Sequence, residues 1–146
     1  MKLDGDYTMD APRQVVFDTL MNVDALRNCL PGVETFEEVG EGRYKAHLRA
    51  GLAGIKGSFT GEIVLADATP PESYTLQVDG DFSGGFVNGA AQIQLVDEGE
   101  KTRVHYSGEG QVGGRLASVG QRLIAPAAKR IVGQFFKCME GQIKHE

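Results

Sequence analysis

The spacing of apolar residues changes along the chain from a helical period to a strand period and back again. Residues 2–9 are compatible with a strand, and two short stretches of helical spacing follow before the next proline-glycine pair. We expect Asp10 to cap the first helix, because aspartate is favoured at the N-cap and Pro12 then falls within the first turn. The second helix is predicted to end before Pro31, since the residue preceding a proline disfavours helical backbone.

Between residues 33 and 112 apolar and polar side chains alternate, which is the period of half-buried β-strands. Breaks at residues 70–71, 84–85 and 97–100 divide this segment into successive strands joined by short turns. Because short turns join neighbouring strands of opposite direction, the pattern predicts an antiparallel meander with one face exposed to water.

The helical period returns after residue 114 and continues to the C-terminus, with apolar residues along one side of a long helix. We expect Pro126 to kink or split this helix, because proline removes a backbone hydrogen bond and crowds the preceding turn. The predicted order is therefore a strand, two short helices, a meander and a long amphipathic helix. This order indicates one α+β domain over residues 1–146, with the apolar side of the helix buried on the concave face of the sheet.

Glycine is about twice as frequent as in an average globular protein, with 20 glycines in 146 residues. Six of them have the inward parity of the predicted strands: Gly57, Gly61, Gly80, Gly89, Gly108 and Gly110. A glycine within a strand marks a bend or a close approach of another group to the backbone. Two interpretations stay open, which are kinks in a strongly curved sheet and an underfilled interior that leaves a cavity.

Composition and charge exclude several classes of protein. Hydrophobic residues make up 41% and charged residues 24% of the chain, as in an ordinary globular domain. Residues 115–146 contain six basic and two acidic residues, whereas the remainder contains nine basic and eighteen acidic ones. An acidic body argues against a nucleic-acid-binding protein, which would be basic overall. Without an apolar run of about 18 residues or a signal-peptide core, we expect a soluble cytoplasmic protein.

The two cysteines, Cys29 and Cys138, are far apart in the sequence and form no CxxC pair. We therefore expect no disulfide framework and no zinc ribbon. The expected role of both is that of small buried hydrophobic residues in a reduced protein.

The titratable side chains form no catalytic or metal-binding pattern. His47 and His105 alternate with apolar neighbours and are predicted to face outward, while His145 lies near the C-terminus. The same parity places three carboxylates on the exposed face: Glu62, Asp79 and Asp81. A metal site or a general base would need such groups to converge, so no catalytic or metal-ligating residue is predicted.

The remaining candidate site is an apolar interior with a few polar groups, which is the usual make-up of a ligand pocket. Its predicted lining is Tyr44, Leu48, Leu52, Phe59, Ile63, Tyr74, Leu76, Val78, Phe82, Phe86, Asn88, Tyr106, Leu116, Leu123, Ala127, Ile131 and Phe135. The tyrosine hydroxyls and the Asn88 amide are the groups expected to hydrogen-bond the polar head of a ligand, because an unpaired buried carbonyl is costly.

Basic residues follow the opposite side of the C-terminal helix and form a basic stripe: Arg115, Arg122, Lys129, Arg130, Lys137 and Lys144. Glu140 is the only acid within it. A solvated helix face is one interpretation of this stripe. The others are a contact with anionic lipid headgroups and a contact with an acidic protein partner.

Five motifs spread over the chain carry a family resemblance: Asp-Ala-Pro in 10–17, Leu-Pro-Gly in 28–34, Gly-Ile-Lys-Gly in 54–61, Gly-Gly-Arg-Leu-Ala in 112–124 and Gln-Phe-Phe in 134–136. Together they resemble the carbon monoxide dehydrogenase G-subunit family. That family is part of the START-like (SRPBCC) helix-grip superfamily of polyketide cyclases, lipid-transfer domains and pollen-allergen-like proteins.

The resemblance implies a helix-grip fold, in which a seven-stranded curved antiparallel sheet wraps around the C-terminal helix and encloses a hydrophobic cavity. Family members are associated with molybdenum-containing carbon monoxide dehydrogenases and similar hydroxylases. Their proposed roles are recruitment of the enzyme to the membrane and binding of an isoprenoid quinone. Some members carry a membrane-anchoring tail, and because this chain ends at Glu146 we expect only transient contact with an anionic membrane at its inner face.

Three functional hypotheses follow from these observations. The first is a non-enzymatic carrier of a quinone or other lipid, with no tightly bound cofactor, that serves a molybdenum hydroxylase. The second is a protein-interaction or assembly factor for that hydroxylase, with an incidental cavity. The third is a cyclase-like or hydrolase-like enzyme, which requires at least one polar group in the cavity with a strongly shifted pKa.

Overall fold

The structure is a computed structural model that describes residues 1–52 and 54–144, apart from four side chains in those ranges. Among the predicted site residues, the side chains of Leu52 and Lys144 lie outside the described part, as does His145. The elements are β1 (Lys2–Met9), α1 (Arg13–Leu20), α2 (Val23–Cys29), β2 (Val33–Gly40), β3 (Arg43–Leu52), β4 (Ile55–Thr69), β5 (Ser73–Phe82), β6 (Gly85–Glu98), β7 (Lys101–Gly113), α3 (Arg115–Val119) and α4 (Gln121–Lys144).

The strands form one seven-stranded antiparallel sheet in the order β1-β7-β6-β5-β4-β3-β2. From β2 to β7 each strand pairs with the next along the chain, so the predicted meander is confirmed. β1 closes the other end by pairing with β7. The two edges of the sheet are therefore β1 and β2, and the pairing of β2 with β3 shifts register at two places.

The short helices begin close to their predicted positions, with one correction at the first cap. Pro12 occupies the N-cap position of α1 and no side chain caps this end. The backbone N–H of Asp10 instead donates to the Glu140 carboxylate at 2.7 Å, so Asp10 is not the cap. α2 is capped by Asn22, whose side chain accepts from the Ala25 N–H at 2.9 Å.

The C-terminal helical region is interrupted at Gly120, not at Pro126 as predicted. Gly120 has a φ of +89°, a left-handed backbone conformation that glycine adopts without a steric penalty. α4 then begins at Gln121 and continues through Pro126. The proline ring costs the helix only the bond to the Arg122 carbonyl, near its first turn.

The sheet bends where glycines allow neighbouring backbones to approach. Gly61 pairs with Gly80 across β4 and β5, and a Cβ added at Gly80 would lie 2.6 Å from the Thr60 carbonyl oxygen. At each of the six inward glycines an added Cβ would lie within 3.1 Å of another atom. The glycines therefore allow close approach of neighbouring strands and curvature of the sheet, as the first interpretation predicts, and the cavity stays a prediction.

The core lies between the inner face of the sheet and the helices. Its most deeply buried apolar side chains come from β1, α1, β7, α3 and α4: Met9, Val16, Leu20, Val104, Leu116, Ile124 and Met139. Residues from every helix take part, so the sheet and the helices share one apolar layer.

The last turns of α4 are attached to the body at two places. Cys138 forms a disulfide with Cys29 at the end of α2, which corrects the prediction of two reduced, unpaired cysteines. The Glu140 carboxylate accepts hydrogen bonds from the Tyr7 hydroxyl and the Asp10 N–H of the opposite sheet edge. A separation of 109 residues concealed the disulfide, because α4 returns across α2 only in the folded chain.

Removal of the disulfide is expected to destabilise the protein. Replacement of both cysteines by serine, or reduction with dithiothreitol, should lower the free energy of unfolding by about 2–4 kcal/mol, because the cross-link restricts the unfolded chain. Urea unfolding followed by circular dichroism measures the change. Reductant should leave the Cys29→Ser/Cys138→Ser variant unaffected. Two free thiols in the oxidised native protein would contradict the pairing.

Stability is also expected to fall at alkaline pH through Tyr74. This side chain is fully enclosed, with its ring 6.1 Å from that of Phe17, and burial raises the pKa of the Tyr74 hydroxyl. A raised folded-state pKa stabilises the native protein below pH ~10, the unfolded value, and this contribution is lost as the pH rises further.

We expect the free energy of unfolding to decline above pH ~10, with a contribution from Tyr74 of up to about 1.4 kcal/mol per pH unit. The Tyr74→Phe variant should show a shallower decline, because it has no hydroxyl to ionise. Urea unfolding at a series of pH values tests this. Parallel curves for the two proteins above pH ~10 would rule out the assigned role of Tyr74.

Candidate functional site

α4 leaves part of its apolar side uncovered in its first three turns. Leu123, Ala127 and Ile131 follow one another at four-residue spacing, so they lie in one row on the helix surface. The Leu123 side chain is 61% exposed, whereas Ala127 and Ile131 are half-buried. The next member of the row, Phe135, packs against the core. The row therefore leads from solvent to the apolar interior, and we call it the apolar row.

The apolar row forms the floor of a cleft of about 470 Å³ between α4 and the β3–β4 hairpin. Its volume lies within the range of about 300–1,000 Å³ that is typical of small-molecule sites. The opposite wall contains Gly51 and Gly54. An added Cβ at Gly54 would meet no atom within 4 Å, so the cleft is open at the hairpin.

A second row on α4 borders the cleft and is mostly polar. It contains Arg122, Pro126, Arg130 and Gln134, again at four-residue spacing, and all four are exposed. We call it the polar rim. Apolar floor and polar rim together make an amphipathic site on one helix.

Three predicted cavity residues, Leu123, Ala127 and Ile131, and two residues of the basic stripe, Arg122 and Arg130, thus meet at this cleft. Sequence analysis missed Gln134, Pro126 and the two glycines of the hairpin. The four-residue spacing from Arg122 was the available signal for the helical residues. The hairpin contribution carried no such signal, because it depends on how closely the turn approaches the helix.

Most predicted residues of the sheet lie on its inner face. Seven of them are buried in the core: Tyr44, Leu48, Phe59, Ile63, Tyr74, Phe82 and Tyr106. Leu76 and Val78 are half-buried and pack against that core, and Leu116 is fully buried in α3. Their contact with a ligand stays a prediction.

The three predicted tyrosines are held as neutral hydroxyls by their surroundings. Burial is the main factor that raises the pKa of Tyr44, Tyr74 and Tyr106. The Tyr44 ring stacks on Phe36 with centroids 4.9 Å apart, and the Tyr106 ring lies 5.8 Å from that of Phe136. A neutral hydroxyl can both donate and accept a hydrogen bond.

The prediction that Phe86 and Asn88 face the interior is wrong. The register pairs Phe86 with Asp81 and Asn88 with Asp79, which places all four on the outer face of the sheet. The inward positions of β6 belong to the alternate residues, such as Val87. Phe86 is 43% exposed and, with Asn88, lines an open groove of about 780 Å³.

The outer groove is charged and open, unlike the cleft. Glu37, Glu62, Asp79 and Asp81 line it together with Lys45 and His47. Such a surface of mixed charge is suited to solvent or to a polar partner and offers no enclosed apolar volume.

The two described histidines lie on the outer face, as predicted. His105 Nδ1 lies 2.9 Å from Asp6 Oδ1, and this contact lowers the pKa of the Asp6 carboxyl. His47 Nε2 lies 3.6 Å from Glu34 Oε2. Within residues 1–52 and 54–144, no three His, Cys, Asp or Glu side chains are arranged to hold a metal ion.

The basic stripe is divided between two helices. Arg122, Lys129, Arg130 and Lys137 are exposed on α4, whereas Arg115 belongs to α3, on the other side of the break. Glu140, the acid in the stripe, is bonded to the edge of the sheet. No helix in the described part of the chain is long and apolar enough to cross a membrane.

Comparison with known structures supports the fold. A conserved protein from Geobacillus kaustophilus is 33% identical, with a TM-score of 0.95, and the alignment covers 99% of this chain and 96% of that one. A START superfamily protein from Mycobacterium smegmatis is 10% identical, with a TM-score of 0.74 and coverage of 99% and 97%. The Zhui aromatase/cyclase from Streptomyces sp. R1128 is 14% identical, with a TM-score of 0.69 and coverage of 99% and 93%.

Sequence comparison gives the family. No curated protein matches the chain. The family model for the carbon monoxide dehydrogenase G-subunit (CoxG) matches residues 5–144. The seven-stranded sheet, the long C-terminal helix and the START superfamily neighbour agree with the predicted helix-grip architecture. The chain therefore belongs to the CoxG family of carbon monoxide dehydrogenase and has a START-like fold.

Proposed function

We propose that the protein is a non-enzymatic carrier that holds a hydrophobic ligand, an isoprenoid quinone or another lipid, in the cleft beside α4. It serves a molybdenum-containing hydroxylase of the carbon monoxide dehydrogenase type. Family membership and the START-like fold indicate a hydrophobic-ligand binding protein. The observation that carries the proposal is the apolar row, whose outer member Leu123 is 61% exposed beside a cleft of about 470 Å³.

The hydrophobic effect explains why this cleft takes up an apolar chain. Each methylene that moves from water into an apolar environment gains about 0.8 kcal/mol. A ligand tail on the apolar row would be covered by Ala127 and Ile131 and would in turn cover Leu123. Several methylenes along this row are sufficient for useful affinity before the polar head makes any contact.

Polar groups of the interior favour a carrier over an enzyme. In the described part of the chain, the buried polar side chains apart from the tyrosines are Thr19 and Thr102. Each donates its hydroxyl to a backbone carbonyl at 2.8 Å, that of Val15 and that of Ala11 respectively. One structural neighbour is an aromatase/cyclase, but the two described histidines, His47 and His105, lie on the outer face, away from the cleft.

The proposed partners meet the protein on its basic side. The family name associates it with carbon monoxide dehydrogenase, and two exposed basic residues of α4, Arg122 and Arg130, line the cleft. Contact of this face with anionic lipid or with the hydroxylase would bring the cleft to the place where ligand is loaded or delivered. The proposed location is the cytoplasm, with transient attachment to the inner face of the membrane.

Ligand binding can be tested by filling the cleft. We expect the native protein to bind a short-tailed menaquinone or ubiquinone, detected by native mass spectrometry and by titration. The Ala127→Trp variant should bind at least tenfold more weakly, a loss of about 1.4 kcal/mol, because the indole occupies the floor. Gln121→Trp, an exposed substitution at the start of the same helix, is the matched control and should bind normally.

Failure of the native protein to take up any quinone or lipid would count against the carrier. Recovery of hydroxylase subunits in a pull-down, together with such a failure, would favour the assembly-factor hypothesis. Equal binding by Ala127→Trp and the native protein would place the ligand elsewhere.

A further inference from the structure

We infer that the cleft selects an acyl-chain amphiphile with an anionic headgroup, held by Arg122 and Arg130, in preference to a ligand with a neutral head. The inference rests on the proposed carrier function and, among the ligands proposed there, ranks an anionic lipid above a quinone, whose head is neutral and whose binding then depends on the apolar row alone. Its basis is the charge of the cleft lining and the arrangement of the two rows on α4.

The described residues that line the cleft include two arginines and no carboxylate. In the part of the chain that the structure describes, no acidic oxygen lies within salt-bridge distance of Arg122 or Arg130. The arginines of the sheet differ in this respect. Arg43, Arg49 and Arg103 each pair with a carboxylate, at 3.5, 2.8 and 3.0 Å.

On the other wall of the cleft, the described residues supply no compensating charge. Gly51 and Gly54 contribute only backbone, and the space beside Gly54 is open. The outer groove shows the contrast, because four carboxylates line it beside Lys45 and His47. Positive charge without a counter-charge therefore distinguishes the cleft from the larger concavity of the same protein.

The two rows place unlike parts of one ligand side by side. Arg122 and Arg130 lie two turns apart on the polar rim, and the apolar row runs parallel to them toward Phe135. A planar guanidinium binds carboxylate or phosphate oxygens through two parallel hydrogen bonds. With its head on the rim, an acyl chain can follow Leu123, Ala127 and Ile131. With a neutral head, the guanidinium groups of Arg122 and Arg130 would bind only water and gain no charged partner.

The test compares ligands that differ only in the head. Nile red, a neutral dye, is bound to the native protein and displaced with palmitate, hexadecyl phosphate or hexadecanol, each below its aggregation limit. We expect the two anions to displace the dye at least about tenfold more effectively than the alcohol, as one charge-assisted bidentate contact implies. The comparison of palmitate with hexadecyl phosphate shows whether the cleft prefers a carboxylate head or a phosphate head.

Two double variants distinguish binding by the arginines of the cleft from attraction by the basic surface of α4 in general. Arg122→Gln/Arg130→Gln should abolish the preference and retain hexadecanol binding. Lys129→Gln/Lys137→Gln removes the same charge from exposed positions of the same helix that do not line the cleft, and it should keep the preference. All four side chains are exposed, so thermal unfolding of the variants should match that of the native protein.

Several outcomes would overturn the inference. Equal displacement by palmitate and hexadecanol would leave the carrier function standing and reject the anionic head. Equal loss of preference in the two double variants would assign the effect to the surface charge of α4. If none of the amphiphiles displaced the dye or bound in native mass spectrometry, the carrier function would fail as well.

Discussion

The final turns of α4 are fixed to the body on two sides, by the Cys29–Cys138 disulfide to α2 and by Glu140 to the edge of the sheet. The first turns of the same helix have no comparable attachment within the described residues, and Leu123 there is 61% exposed. A helix is stiff over this length, so anchoring one half determines where the other half lies. The cleft lies where this first half of the helix, with Ile124 buried in the core and Leu123 exposed, runs beside the β3–β4 hairpin.

Charge is divided between the two faces of the molecule in a way that follows from this arrangement. Acidic residues lie on the outer face of the sheet, where arginines such as Arg43 and Arg49 neutralise some of them. The basic residues of α4 project from the side that carries the cleft. Glu140 lies near the other end of α4, where it attaches the helix to the edge of the sheet, and it is not among the described residues that line the cleft.

Strand period and helix period were sufficient to predict the architecture and the inward position of residues such as Tyr74, because both are local properties of the chain. Phe86 was predicted to face the interior because it is aromatic, although its position in the alternating pattern of β6 places it on the outer face. The break at Gly120 was not predicted, because the spacing of apolar residues carries no information about a glycine with left-handed backbone. The disulfide and the Gly54 wall depend on contacts between distant segments, which no local pattern of residues encodes.

The exposed edge strand β2 has a consequence for the behaviour of the protein at high concentration. An edge of this kind presents unpaired backbone groups to which another chain can add a strand. Here the strand carries Glu34, Glu37 and Glu38, and its register with β3 is irregular at two places. Two copies brought edge to edge would repel each other and could not align their backbones, so the end of the sheet resists growth into fibres.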